Sequence, residues 1–170
     1  MTYGEIFAIS GNILRLLFIF SLIFGGKGLT GMFLGEYSHT VDAKGRVFMP
    51  AKFREQLSDN FVVARSVDAC LAVYPPERWY RMTEKIKALP EIKAKKIARF
   101  LFPSALEAAP DAQGRILLTQ NLREYANLQK NVCIIGMGDY VEIWDENALS
   151  DERCTETPEE IRGIMQELDF

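Results

Sequence analysis

Histidine occurs once in this chain, at His39, and cysteine three times, at Cys70, Cys133 and Cys154, with no Cys-x-x-Cys spacing. A structural metal site needs a cluster of such ligands, and a histidine-activated nucleophile needs an imidazole placed to take its proton. Neither pattern is present: His39 stands inside a strand-like stretch, where a structural role is expected, and no cysteine has a partner at ligand spacing. An odd number of cysteines without a framework reads as reduced, intracellular thiols, each a small buried hydrophobe. From Met32 onward the chain also lacks a glycine-rich phosphate loop and a nucleophile elbow. These absences argue against an enzyme and give no reason to expect a cofactor, a metal or a small-molecule substrate.

Charge is not scarce, but it is segregated. Residues 32–138 carry sixteen Lys and Arg against eleven Asp and Glu, whereas residues 139–170 carry two against eleven. A basic body with an acidic tail suits a polyanion binder, because a basic face raises the local concentration of phosphate groups; solvated helical tails share the same composition. The apolar and charged fractions are those of a folded globular chain.

The long apolar run is confined to the start. Ile6 to Gly26 is about the length that spans a bilayer. Arg15 sits near its middle, where a charge costs about 2.5–3.5 kcal/mol. No basic residue precedes the run and no Ala-x-Ala site follows it, so it is a poor secretory signal. Lys27-Gly28 requires a purine-rich codon pair resembling a bacterial ribosome-binding site, three codons before Met32. We therefore read residues 1–31 as translated upstream sequence, with a membrane anchor as the alternative.

The remainder repeats itself. Asp42-Ala43-Lys44-Gly45-Arg46 returns 69 residues later as Asp111-Ala112-Gln113-Gly114-Arg115. Each is followed by an apolar triplet and a helix-like run ending in Arg-Glu (Arg54-Glu55, Arg123-Glu124), and six of the fourteen aligned positions are identical. Such a duplication predicts one barrel built from two strand–turn–strand–helix halves. Asp and Gly suit the turn, the one accepting backbone N–H groups and the other taking positive φ. Alternation and breakers predict helices over 51–57, 77–89, 91–102 and 121–128, and strands over 61–65, 70–74, 132–136 and 140–144. We divide the chain into an N-terminal extension (1–31), a first repeat (32–79), bridging helices (80–102), a second repeat (103–149) and an acidic C-terminal helix or tail (150–170).

The duplicated Asp-x-x-Gly-Arg turn, the hydrophobic strand and Pro50 after its first copy, Tyr74-Pro75 and Glu142-Ile143-Trp144-Asp145 together resemble the MraZ family, which carries two AbrB-type swapped-hairpin units. The resemblance covers nearly all of 32–170. It implies an α+β fold whose β-barrel is made by two AbrB-like swapped-hairpin repeats with bridging and C-terminal helices. It further implies a cytoplasmic, nucleoid-associated regulator, usually a repressor, of the division and cell-wall gene cluster containing its own gene. Double-stranded promoter DNA with repeated boxes would be the partner, bound by a ring-like homo-oligomer. The family signature Asp-x-x-x-Arg falls on Asp42 and Arg46, and again on Asp111 and Arg115.

Within that frame, Arg46 leaves a glycine turn and suits guanine O6 and N7, while Lys44, Lys52 and Arg54 suit phosphate. Asp42 holds the turn or orients Arg46; a plain Asp–Arg bridge is the alternative. The second repeat has Gln113, Thr119 and Asn121 where the first has Lys44, Pro50 and Lys52, so the first unit should present most of the DNA-facing charge. Lys93, Lys95, Lys96 and Arg99 read as a solvated helix face. A carboxylate pair of Asp42 and Asp111 is explained by the turns without catalysis. The rival reading is an antitoxin-like or scaffolding module docking through Ile161, Ile164, Met165 and Leu168, although this stripe is expected to pack on its own barrel.

Overall fold

The computed structural model describes residues 31–167. The readings made for the N-terminal extension, apart from Gly31, and for Leu168 fall outside these residues.

The first repeat runs β1 (Glu36–Thr40), β2 (Arg46–Phe48), α1 (Ala51–Leu57), β3 (Phe61–Arg65) and β4 (Leu71–Tyr74). Helices α2 (Pro76–Lys87) and α3 (Glu91–Leu101), then a 3-10 turn at Phe102–Ser104, carry the chain to the second. That repeat runs β5 (Leu106–Ala108), β6 (Arg115–Leu117), α4 (Gln120–Tyr125), β7 (Asn131–Gly136) and β8 (Val141–Asp145). Helices α5 (Glu146–Thr155) and α6 (Pro158–Gln166) follow. Pro50, Pro75 and Pro90 each take the extended residue before a helix, where φ is already right and no N–H is wasted.

Most strands find partners in the other repeat. β1 pairs with β7, β5 with β3, β2 with β6 and β4 with β8, all antiparallel; only the hairpins β3–β4 and β7–β8 stay within a repeat. Equivalent residues meet at two points, Val47 opposite Ile116 and Ala72 opposite Glu142, so a pseudo-two-fold axis passes through both pairs. This is a swapped arrangement, and neither half has a complete sheet without the other.

The expected barrel does not close. Six strands form one sheet in the order β1-β7-β8-β4-β3-β5, and β2–β6 is a separate two-stranded ribbon. The ladder between β1 and β2 is a single bridge, Val41 to Val47, and Pro50, on the β1-facing side of the strand, has no N–H with which to extend it.

The sheet has cover on both faces, which explains why β4 and β8 are buried along their whole length. Leu71, Val73, Val141 and Ile143 face the main core with Val47, Phe53 and Ile116, beneath the ribbon and α1. On the other face Ala72 and Tyr74 meet Ile86 of α2 and Leu101 of α3, while Trp144 and Cys133 meet Leu149 of α5. Burying the carboxylate of Glu142 on that face requires donors, and Tyr140 Oη (2.9 Å) and Trp144 Nε1 (2.8 Å) supply them.

Four expectations change. The expected boundary between the second repeat and the tail, at 149/150, falls inside α5; Asp145, buried at the end of β8, accepts from the Asn147 N–H and starts the helix. Leu89 lies beyond α2 and is exposed. Cys70 and Cys133 are buried, but Cys154 is exposed on α5. The stripe of Ile161, Ile164 and Met165 does not pack on the sheet, all three being more than 40% exposed, because α6 begins after an extended break at Glu156 and carries its own capping box at Thr157 and Glu160.

Because Phe53 is fully buried between Phe33 and Tyr37, Phe53→Ala should destabilise the fold by about 3–5 kcal/mol, whereas exposed Lys52→Ala should stay within about 0.5 kcal/mol. Urea denaturation measures both.

Candidate nucleic-acid interface

Alternation along three-residue strands fixes what the ribbon shows to solvent. Val47 and Ile116 point inward and have no exposed surface, so Arg46, Phe48, Arg115 and Leu117 point outward. Arg46 lies opposite Leu117 and Phe48 opposite Arg115, which places the two arginines as diagonal neighbours on one face. Phe48 and Leu117, both large and apolar, are 39% and 55% exposed.

Each ribbon strand is entered through a three-residue hairpin loop with a left-handed glycine. Gly45 has φ +78° and Gly114 φ +80°. The Gly45 N–H donates to the Asp42 carbonyl and the Asp42 N–H to the Arg46 carbonyl, and residues 111–115 repeat both bonds. The Asp side chains complete the loops. Asp42 Oδ1 accepts from the N–H groups of Lys44 and Arg46, each at 2.9 Å, and Asp111 Oδ1 does the same for Gln113 and Arg115.

The second carboxylate oxygen holds the arginine. Asp42 Oδ2 accepts from Arg46 Nε at 2.8 Å and lies 2.7 Å from Nη2; in the other turn the distances are 2.9 and 2.7 Å. Turn-holding and arginine-orienting, posed as alternatives from the sequence, are thus performed by one carboxylate. A guanidinium has five N–H donors. The aspartate occupies the Nε side of the fork and leaves the Nη1 end free, held in one orientation.

The bonds from Arg46 and the turn amides hold the Asp42 carboxyl well below the usual range, at about 2, and Asp111 is held likewise by Arg115 and its own turn. Lys44 sits exposed at the tip of the first turn and Lys52 is exposed on α1; among the described residues neither forms an ion pair. Arg54 is differently placed. Its Nε donates to the Met49 carbonyl at 3.1 Å, and its guanidinium lies over the Phe48 ring. His39 packs beside the same ring, and burial lowers its pKa, in keeping with a structural imidazole. Lys93, Lys95, Lys96 and Arg99 are exposed on α3, Lys95 paired with Glu91.

The site therefore brings Asp42, Arg46, Asp111 and Arg115 together on one ribbon, with Lys44 at its edge. Sequence reasoning did not single out Phe48, Leu117 or Arg123. The first two were legible as the outward members of alternating triplets; Arg123 was visible as one of the six repeated identities.

Comparison with known proteins decides the family. The family model described as "MraZ protein, putative antitoxin-like" matches residues 32–99 and 101–151. This chain belongs to the MraZ family. A protein of Carboxydothermus hydrogenoformans named "Transcriptional regulator MraZ" is 53% identical over 117 residues, covering 68% of this chain and 82% of its own. One of the same name from Heliobacterium modesticaldum is 46% identical over 143 residues, covering 82% of this chain and all of its own. The MraZ match takes in both turns and both ribbon strands. Among the described residues there is no metal-binding cluster and no helix long and apolar enough to cross a membrane.

Since the folded pKa of Asp42 is depressed, the turn's contribution to stability is complete above the ordinary carboxylate value and is lost as pH falls through about 2. Carbon-detected NMR titration should place the Asp42 midpoint near 2 and move it up toward about 3.9 in Arg46→Ala. An ordinary midpoint in the unmodified protein would mean that the pair is open in solution.

Proposed function

We propose that this protein is a sequence-specific, DNA-binding transcriptional regulator whose reading surface is the β2–β6 ribbon. The observation that carries this reading is the pair of arginines on one exposed ribbon, each clamped side-on by an aspartate. A clamped fork presents its free end for two bonds to guanine O6 and N7, with its orientation already fixed. Asp42 and Asp111 orient, and Arg46 and Arg115 read. Lys44 and Lys52 bind flanking phosphates, which set register without reading sequence. Phe48 and Leu117 suit thymine methyl groups between the arginines. The names borne by the relatives support a regulator rather than an enzyme.

Finer features of the proposal come from the family resemblance. They are repression of the division and cell-wall cluster that includes its own gene, action in the cytoplasm at the nucleoid, and a ring-like homo-oligomer on repeated promoter boxes. A single ribbon covers little DNA, whereas linked subunits on spaced boxes gain about 10²–10⁴ in avidity. Box spacing then matters as much as box sequence.

The exposed stripe of Ile161, Ile164 and Met165 favours a second reading, an antitoxin-like or scaffolding module. Salt separates the two, since phosphate contacts release counterions and apolar docking does not.

On DNA from upstream of its own gene, Arg46→Ala should cost about 1–3 kcal/mol of preference for the native over a shuffled duplex. Lys44→Ala should weaken both duplexes alike and lower the salt slope by about one. Equal binding of native and shuffled duplexes by the unmodified protein would sink the regulator reading.

A further inference from the structure

The helix arginines beside the reading turns are connected crosswise. Arg123, on α4 of the second repeat, donates from Nε to the Leu118 carbonyl at 3.2 Å, while the Leu118 N–H donates to the carbonyl of Gly45 in the first turn at 2.9 Å. The guanidinium lies so close beneath Gly45 that a Cβ there would come within 2.9 Å of Nε and 3.1 Å of Cζ. The reverse holds for Arg54, on α1 of the first repeat. It binds the Met49 carbonyl, Met49 N–H binds the carbonyl of Gly114 in the second turn at 2.9 Å, and a Gly114 Cβ would meet Arg54 Cζ at 2.7 Å. Both guanidiniums are half-buried.

We propose that Arg123 and Arg54 are reciprocal positioning residues, Arg123 supporting the turn that aims Arg46 and Arg54 supporting the turn that aims Arg115. The inference rests on reading Arg46 and Arg115 as the DNA contacts. It moves Arg54 from phosphate ligand to support and adds Arg123, which no phosphate argument singled out.

The chemistry fits a support. The flat guanidinium packs against a Cα that carries no side chain and uses its Nε, an atom lysine lacks, to bond the strand carbonyl. The carbonyl belongs to the residue whose N–H grips the opposite glycine. Loss of the arginine empties the space under the glycine and leaves the strand carbonyl without its bond. The turn above then has more freedom, and the clamp that aims its arginine loosens with it.

The test has one arm without DNA and one with it. Hydrogen exchange of the full chain, read on peptides covering 42–47 and 111–116, compares Arg123→Ala, Arg54→Ala and Arg123→Lys. Arg123→Ala should speed exchange about tenfold in 42–47 and leave 111–116 little changed, and Arg54→Ala should do the converse. Arg123→Lys should behave like the alanine variant despite keeping the charge, and it carries the test if the alanine variant does not fold. Faster exchange in the variant's own turn, or in both turns equally, overturns the proposal.

In the DNA arm, Arg123→Ala should reduce the native-over-shuffled preference about tenfold with an unchanged salt slope, and add little when Arg46 is already alanine. Arg54→Ala should keep its full effect in that background. Additive losses for Arg123, or a slope lower by about one, would make it a phosphate contact instead. Should Arg46→Ala leave the preference intact while exchange crosses over as described, the DNA reading fails and the crosswise support stands.

Discussion

Pairing of β2 with β6 about Val47 and Ile116 is the constraint on which the working surface depends. Two strands of three residues carry too few bonds to persist alone. They are held because both central side chains are fully buried in the main core, and because each flanking turn is bonded to the opposite strand. Once that pairing is set, parity does the rest. Residues on either side of a buried centre must face solvent, so two arginines and two apolar side chains appear together without further instruction.

The same pairing couples order to reading. An arginine on a free loop would lose rotamer entropy on meeting a base; here the loss has already been taken, against an aspartate that also satisfies the turn amides. The two repeats are alike in this geometry and unlike in charge, since Gln113 stands in the second turn where Lys44 stands in the first, and Asn121 on α4 where Lys52 stands on α1. Equal aim with unequal charge gives the ribbon a polarity along its length.

Much of this was legible in the residues. Helix α1 and strand β3 coincide with their expected bounds, because Pro50 marks the start and Phe53 and Leu57, four apart, must share a buried face. The turns were legible because Asp and Gly at fixed offsets leave few alternatives. Closure was not: a single strand's pattern says which residues are buried but not whether the ladder continues past the Val41–Val47 bridge. Helix α5 was obscured by the acidic composition around it, although Asp145 is an ordinary cap. The C-terminal stripe shows the opposite failure. Amphipathic spacing in α6 identifies a face able to be buried, and it carries no information about whether the chain leading into it lets that face reach the core.

The axis through Ala72 and Glu142 sets apart a single chain from a pair of identical ones. In a homodimer of identical halves, any residue on the dyad meets its own copy, so a carboxylate placed there would oppose another carboxylate in a buried layer, and selection would remove it. Joining the halves into one polypeptide lifts that rule. Here alanine yields the space and glutamate takes it, with a tyrosine and a tryptophan to satisfy it. Within one polypeptide the two dyad positions are independent, so each can be substituted without changing the other.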